Sequence, residues 1–298
     1  SGTTVYIDGG ARVYGNIFTE GAHDVNIFGR GEVHPDGRGA GVWVRRSKNV
    51  RIDGIVVSQL PIGQCDSVEL TNVKSISYYG WGDGMDVFSS SNVILDGVFC
   101  RNSDDCAAVY ASTQGFKGGS NNVLVKNATL WADVAHPINI GGHGDPNGMD
   151  TVQNVTFRNI DILDQAEKQI DYQGCLAINP GDNTLVRNIT FENIRIEDFR
   201  NGQLVNFRIS FNPKYCVSTG RGIQNVLVKD VTYNGSGENL SIIAGYDENH
   251  KISGIRFVNL VVNGRKITDD MPGKPKWYKT GDMAGIFVGE HVENLSFE

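Results

Sequence analysis

The sequence predicts an all-β fold, a right-handed parallel β-helix of about eight to ten coils. Three observations predict it. An Asn–aliphatic–x–aliphatic motif recurs along nearly the whole chain. Each run alternates apolar and polar residues, the period of a strand with one buried face. Glycine is abundant, 37 of 298 residues, while two-residue hairpin signals are few.

The repeats in chain order are Asp24-Val25-Asn26-Ile27, Asn49-Val50-Arg51-Ile52, Asn92-Val93-Ile94-Leu95 and Asn122-Val123-Leu124-Val125. They continue as Asn154-Val155-Thr156-Phe157, Asn188-Ile189-Thr190-Phe191, Asn225-Val226-Leu227-Val228 and Asn294-Leu295-Ser296-Phe297. A second short strand usually follows, as in Gly54-Ile55-Val56-Val57 and Asn193-Ile194-Arg195-Ile196. No stretch carries a helical period. Gly and Asn at the bends supply the positive φ that turning a coil requires. Parallel strands need long crossovers, and here each full coil is the crossover. A sandwich or propeller fits less well, because Asn234-Gly235 and Asn263-Gly264 are the main hairpin signals.

The chain reads as one catalytic β-helix domain over residues 1–298, with Asp269 to Thr280 as a surface excursion. It starts abruptly on a strand with no leader. The expectation is therefore that an N-terminal cap or a further domain once preceded Ser1. The net charge of −7 and pI near 5.4 argue against nucleic acid as a partner and disfavour a strongly anionic substrate. No apolar run approaches the roughly 20 residues of a membrane span, so no membrane partner is expected. The five cysteines lack metal-ligand spacing, and most of them read as buried free thiols. Six Asn-x-Ser/Thr sequons occur, and they read as accidents of a repeat that places Asn before β-branched strands.

Three segments precede a repeat strand by a similar distance: Trp81 to Phe88, Ser103 to Tyr110 and Ala135 to Ile140. Aligning the buried aliphatics Val87, Val109 and Ile140 stacks Asp83, Asp105 and His136 in one column. The next coil, aligned on Ile178, offers Gly174 there, which leaves space. The acids share inward parity and must lie at the bend before each strand, since two carboxylates inside the core would be costly. Asp86, Ala108 and Asn139 point outward. Asp104 adds a third carboxylate. Crowded like charges raise at least one pKa, giving one protonated acid and one ionised base near neutrality. Inverting glycoside hydrolysis uses such a pair, with the carboxyls about 6.5–9.5 Å apart. The bland rivals are an Asx-turn column or a calcium site.

These segments resemble the Asn-Thr-Asp, Asp-Asp and Gly-His-Gly motifs of glycoside hydrolase family 28, the polygalacturonases. Ala135 and Pro137 stand where that family has glycines. The resemblance extends to family 49, the dextranases and isopullulanases. It implies an inverting O-glycosyl hydrolase acting on a polysaccharide or oligosaccharide, secreted or periplasmic, with no cofactor and no metal. Asp104 would be the general acid, Asp83 and Asp105 would activate water, and His136 would hold Asp105. The substrate-carboxylate clamp of polygalacturonases, Arg-Ile-Lys, is missing from the coil Gly174 to Asn179; Arg208-Ile209-Ser210 is similar, one coil later and without the Lys. A neutral or weakly charged glycan, as for dextranases, is therefore the expected substrate, with a pectic polygalacturonan as the alternative. Trp81, Asp86, Tyr110, His143, Asn179 and Arg208 are the groove candidates, Tyr110 as the leading sugar-stacking ring; Trp131 is at least as well explained as core. The loop His143 to Asp150 reads as a plain surface loop before a substrate or cation site. Two rivals remain: a polysaccharide lyase, which would need a basic proton abstractor, and a non-catalytic carbohydrate-binding β-helix, which has no need of packed acids.

Overall fold

A computed structural model of the chain describes residues 1–236 and 239–298. It is a right-handed parallel β-helix. One sheet of ten short strands runs from Ile17–Glu20 to Ile286–Val288, one strand per coil. A 17-stranded assembly forms the remaining faces. Side-chain alternation explains the closure: Val25, Val50, Val68, Val93, Val123, Val155, Ile189 and Val226 all point inward and are buried. Rings stack in the same way, with Phe157 and Phe191 centroids 5.9 Å apart and Phe257 and Phe297 4.7 Å apart.

The motif asparagines take left-handed backbone conformations, for example φ 57° at Asn92, 55° at Asn154 and 56° at Asn188. Asparagine is one of the few side chains tolerated there. Each amide then reaches the preceding coil: Asn122 Nδ2 donates to Asn92 Oδ1 at 2.7 Å, and Asn188 Nδ2 to Asn154 Oδ1 at 3.2 Å. A second ladder runs from Asn127 through Asn159 to Asn193. These side chains pin the register of successive coils where backbone pairing alone would permit slippage.

Among the described residues, the antiparallel strand pair is Ile252–Val262 with Arg265–Ile267, turned at Asn263-Gly264 where φ is 48° and 76°. Two positive φ angles give the primed turn that suits a hairpin. Asn234-Gly235 closes no hairpin, because the strand before it, Gly222–Tyr233, pairs in parallel on both sides. The expected excursion from Asp269 to Thr280 is tethered to the last coil: Asp269 Oδ2 accepts from the Phe297 amide at 3.0 Å, and Met271 is buried. All five cysteines are free thiols, four of them buried. Among the described residues no helix is long and apolar enough to cross a membrane.

Candidate active site

The site lies where the ten-stranded sheet meets the bend before it. The register there matches the sequence alignment: Val87 pairs with Val109, Val109 with Ile140 and Ile140 with Ile178. Asp83, Asp105 and His136 therefore stack just ahead of strands Val87–Phe88, Ala107–Tyr110 and Ile138–Ile140. Backbone bonds hold the pre-strand segments coil to coil, with Gly84 N donating to Asp105 O at 2.7 Å and Cys106 N to His136 O at 2.9 Å. Gly84 is required by this approach, since a Cβ there would fall 2.2 Å from Cys106 O. The buried Asn102 adds a brace, donating Nδ2 to Asp83 O at 3.2 Å and to the hydroxyls of Ser75 and Ser77 at 3.0 Å.

Oxygens of Asp83, Asp104 and Asp105 lie within 4.8 Å of one another. The wider gap expected between Asp83 and Asp105 is absent. Adjacent coils fix the separation at about the strand spacing of 4.8 Å, too little for the wider acid–base arrangement. Asp105 is 1% exposed and fully hydrogen-bonded. Its Oδ1 accepts from the His136 amide at 3.0 Å and from His136 Nδ1 at 2.7 Å. Its Oδ2 accepts from Tyr110 Oη at 2.6 Å and Asn139 Nδ2 at 2.9 Å. Burial acts to raise its pKa, but attraction to the His136 imidazole and these donors outweigh it and hold the carboxyl below its ordinary value.

The neighbours move the other way. Burial, then the charges of Asp105 and Asp83, pushes Asp104 up to about 8. Burial and then Asp105 pushes Asp83 up to about 7. Asp86 is also raised, first by burial and then by Asp83 and Asp105. The arrangement is a fixed anion flanked by two carboxyls that titrate near neutrality, which suits proton transfer in both directions. The same three acids could geometrically face a hard cation. Every acceptor position of Asp105 is already filled, however, which makes it a poor ligand.

The other expected residues divide. Trp81 is 79% exposed on the cleft rim, under Arg38 at 5.8 Å. Asp86 and Asn139 point outward as expected, yet they are 5% and 2% exposed because the cleft floor and overlying loops cover them. Tyr110 is no stacking platform for a sugar: it is 6% exposed, Phe88 lies parallel at 5.9 Å and the His143 ring meets it edge-on at 5.0 Å. Its role is to donate to Asp105. Burial lowers the His143 pKa, favouring the neutral ring. Asn179 and Arg208 line a second, smaller cavity that adjoins the acids through Tyr110, His143, Tyr172 and Tyr215. Arg208 Nη2 donates to Asp171 O at 2.6 Å, while its buried Nε has no partner. Trp131 sits in the large assembly with Arg101 4.2 Å over its ring, away from the cleft. The 143–150 loop spends its carboxylates on itself and its neighbours: Asp150 Oδ2 accepts from Ser112 N and Asp145 N, and Asp145 pairs with Lys117.

Sequence reasoning missed Glu167, Gln169, Tyr172, Lys214 and Tyr215, which also line the main cleft of about 450 Å³. Tyr172 meets the His136 ring edge-on at 4.3 Å and stacks on Tyr215 at 4.8 Å. They come from two stretches that break the repeat, and that interruption was the available signal.

The profile of Glycosyl hydrolases family 28 matches residues 42–271. A polygalacturonase of Juniperus ashei is 26% identical over 216 residues, 70% of this chain and 39% of that protein. A probable endopolygalacturonase D of Emericella nidulans is 26% identical over 274 residues, 80% of this chain and 50% of that protein. The chain thus spans half or less of the length of these curated relatives. The family 28 exopolygalacturonase of Yersinia enterocolitica superposes with a TM-score of 0.66 at 13% identity, over 92% of this chain and 60% of that one, a likeness of fold.

Proposed function

From the premise that the chain belongs to family 28 of the glycosyl hydrolases, we propose that it hydrolyses O-glycosidic bonds of a pectic, galacturonan-type polysaccharide with inversion at the anomeric carbon, and that it acts outside the cell. The observation that carries this is the triad itself: Asp105 held as an anion between two carboxyls that titrate near neutrality. Asp104 protonates the leaving glycosidic oxygen, and Asp83 takes a proton from the attacking water. Asp105 stabilises the positive charge that develops on the sugar ring. This narrows the expected sharing of the water between Asp83 and Asp105.

The short carboxyl spacing by itself suits a retaining pair. A covalent role for Asp105 is disfavoured because all its acceptor positions face donors. A carboxyl poised near neutrality, as Asp83 is, suits a base better than a nucleophile. Proton NMR of the first-formed reducing end tests the point; retention of configuration would move Asp83 from base to nucleophile.

Galacturonan replaces the neutral glycan as the leading substrate for two reasons. The curated relatives reported above are named as polygalacturonases. Arg208 also offers an unpartnered Nε–H in a cavity adjoining the acids, and a guanidinium–carboxylate contact is among the stronger hydrogen bonds available. The test is reducing-end release from polygalacturonate, xylogalacturonan and dextran. The reading expects polygalacturonate or xylogalacturonan to be preferred and KM for it to rise at least tenfold in Arg208→Ala, since a charged hydrogen bond contributes roughly 1.5–3 kcal/mol. Preference for dextran would restore the neutral reading.

A further inference from the structure

On the C-terminal side of the acids, the outward positions of the ten-stranded sheet are small. Ala177 follows Asn139, and Gly141 follows Ile140 at the strand end. The second cavity, of only about 40 Å³, lies there over Asn179 and Arg208. On the N-terminal side the reverse holds. The coil before Phe88 presents Gly63, and the Phe116 ring fills the space above it. A Cβ on Gly63 would fall 2.3 Å from that ring. Phe116 is 1% exposed, with its centroid 6.3 Å from both Phe88 and Trp43. Trp43 projects from the coil before that, on strand Val42–Arg45.

The loop that carries Phe116 runs back over two coils and is held from both sides. Guanidinium carbons of Arg45 and Arg46 lie 5.4 and 5.0 Å from the Phe116 ring, a favourable cation–π distance. Arg46 Nη2 also donates to Gly115 O at 3.3 Å, and Lys117 pairs with Asp145 at 3.2 Å. No described residue before Gly80 lines the main cleft.

We infer that the loop carrying Phe116, seated on Trp43 and presenting Thr113 and Gln114 to the cleft, forms a wall that ends the cleft beside the acids, so that the enzyme removes units from chain ends and does not cut within chains. The inference rests on the hydrolase reading above. A coil step is about 4.8 Å, comparable to one sugar unit, and the wall begins one coil before Phe88. A chain that reaches the acids from the side of Tyr172 and Tyr215 therefore has its end stopped at that loop. In the hydrolysis, water adds across the glycosidic bond, and the unit held against the wall leaves as a free sugar with the new hemiacetal hydroxyl or the new alcohol, according to chain direction.

The test uses the full chain on polygalacturonate and xylogalacturonan, following viscosity and separating products by anion-exchange chromatography. The expected result is monosaccharide from the first time point, no early oligomer ladder, and viscosity that falls only as total sugar is lost. The Trp43→Ala/Phe116→Ala variant, checked for native melting, is expected to shift products to a ladder of oligomers with an early drop in viscosity. If that variant does not fold, Phe116→Leu, which keeps an apolar side chain in the buried site but removes the ring, keeps the wall testable; its expected shift is from monosaccharide toward disaccharide. An oligomer ladder from the wild type overturns the wall while leaving the hydrolase reading intact, and so does an unchanged product pattern in a folded variant. No reducing ends from either polysaccharide or from dextran overturns both.

Discussion

Asp105 governs the chemistry of its neighbours without itself being free to bond. Because burial, and then the Asp105 charge, lift Asp104 and Asp83 to about 8 and about 7, kcat/KM should follow a narrow bell with limbs near those values, belonging to the coupled pair. Asp104→Asn keeps the shape and removes the transferable proton, so kcat should fall by roughly 10²–10⁴ on a substrate with a poor leaving group; near-wild-type turnover in the folded variant would remove Asp104 from that role. The same substitution should stabilise the fold. A carboxyl whose folded pKa is raised contributes its stability below its unfolded pKa and loses it as pH rises through the folded value. The gain in Asp104→Asn is thus expected above about pH 8, at roughly 2–4 °C in Tm per kcal/mol released, and should vanish near pH 4; thermal melts at both pH values check it. Tyr110→Phe removes the 2.6 Å bond to Asp105. It should raise the Asp105 pKa and displace the acid limb of the rate profile, whereas a purely packing role would leave that limb in place.

At the scale of the element, the coil is stabilised by a few left-handed asparagines as well as by apolar stacking. Asn154 shows both contributions, with φ 55° and an amide that donates to Asn121 at 2.8 Å. Asn154→Gly loses the bond and keeps the backbone angle, while Asn154→Ala loses both. Since a left-handed residue with a Cβ costs about 1–2 kcal/mol, the alanine variant should be the less stable by that amount in urea unfolding; equal stabilities would show that the backbone angle contributes nothing. This level was also where the sequence was most legible. Alternation around Val87, Val109, Ile140 and Ile178 set the register because a one-residue slip would turn every one of them to solvent. The column of Asp83, Asp105 and His136 follows from that register alone. Breaks in the repeat marked the stretches that carry Tyr172 and Lys214, but where their side chains and that of Phe116 point depends on the tertiary packing of segments between strands. Tyr110 was read as a sugar platform for the same reason: nothing in its own strand reveals that Phe88 and His143 cover its ring.

Across the whole molecule, each coil contacts mainly its neighbours, so stability should be distributed along the axis. The first coil is less covered than the next: Val13 is 39% exposed, while its register partner Val33 is 0%. Amide exchange read by mass spectrometry should therefore be faster in peptides covering residues 4–20 than in those covering 87–110. Uniform protection along the chain would mean that the solenoid opens as a single unit. The acidic surface, −7 overall, led the sequence reading away from a polyanion. The average does not describe the site, because Arg208, half-buried in the cavity that adjoins the acids, acts locally whatever the net charge.

The asparagine ladders also bear on how the protein can be produced. Asn127, Asn154 and Asn188 each begin an Asn-x-Thr sequence, and each donates its side-chain nitrogen to the coil before it. That nitrogen is the atom an oligosaccharyltransferase would modify. A eukaryotic secretory host acts on the chain before the coils close, and a glycan at any of the three would stand between that coil and the preceding one on which it must seat. Expression there is expected to yield folded material unmodified at these three asparagines and a misfolded fraction that carries glycans at them, separable by lectin capture and site-mapped by peptide mass spectrometry.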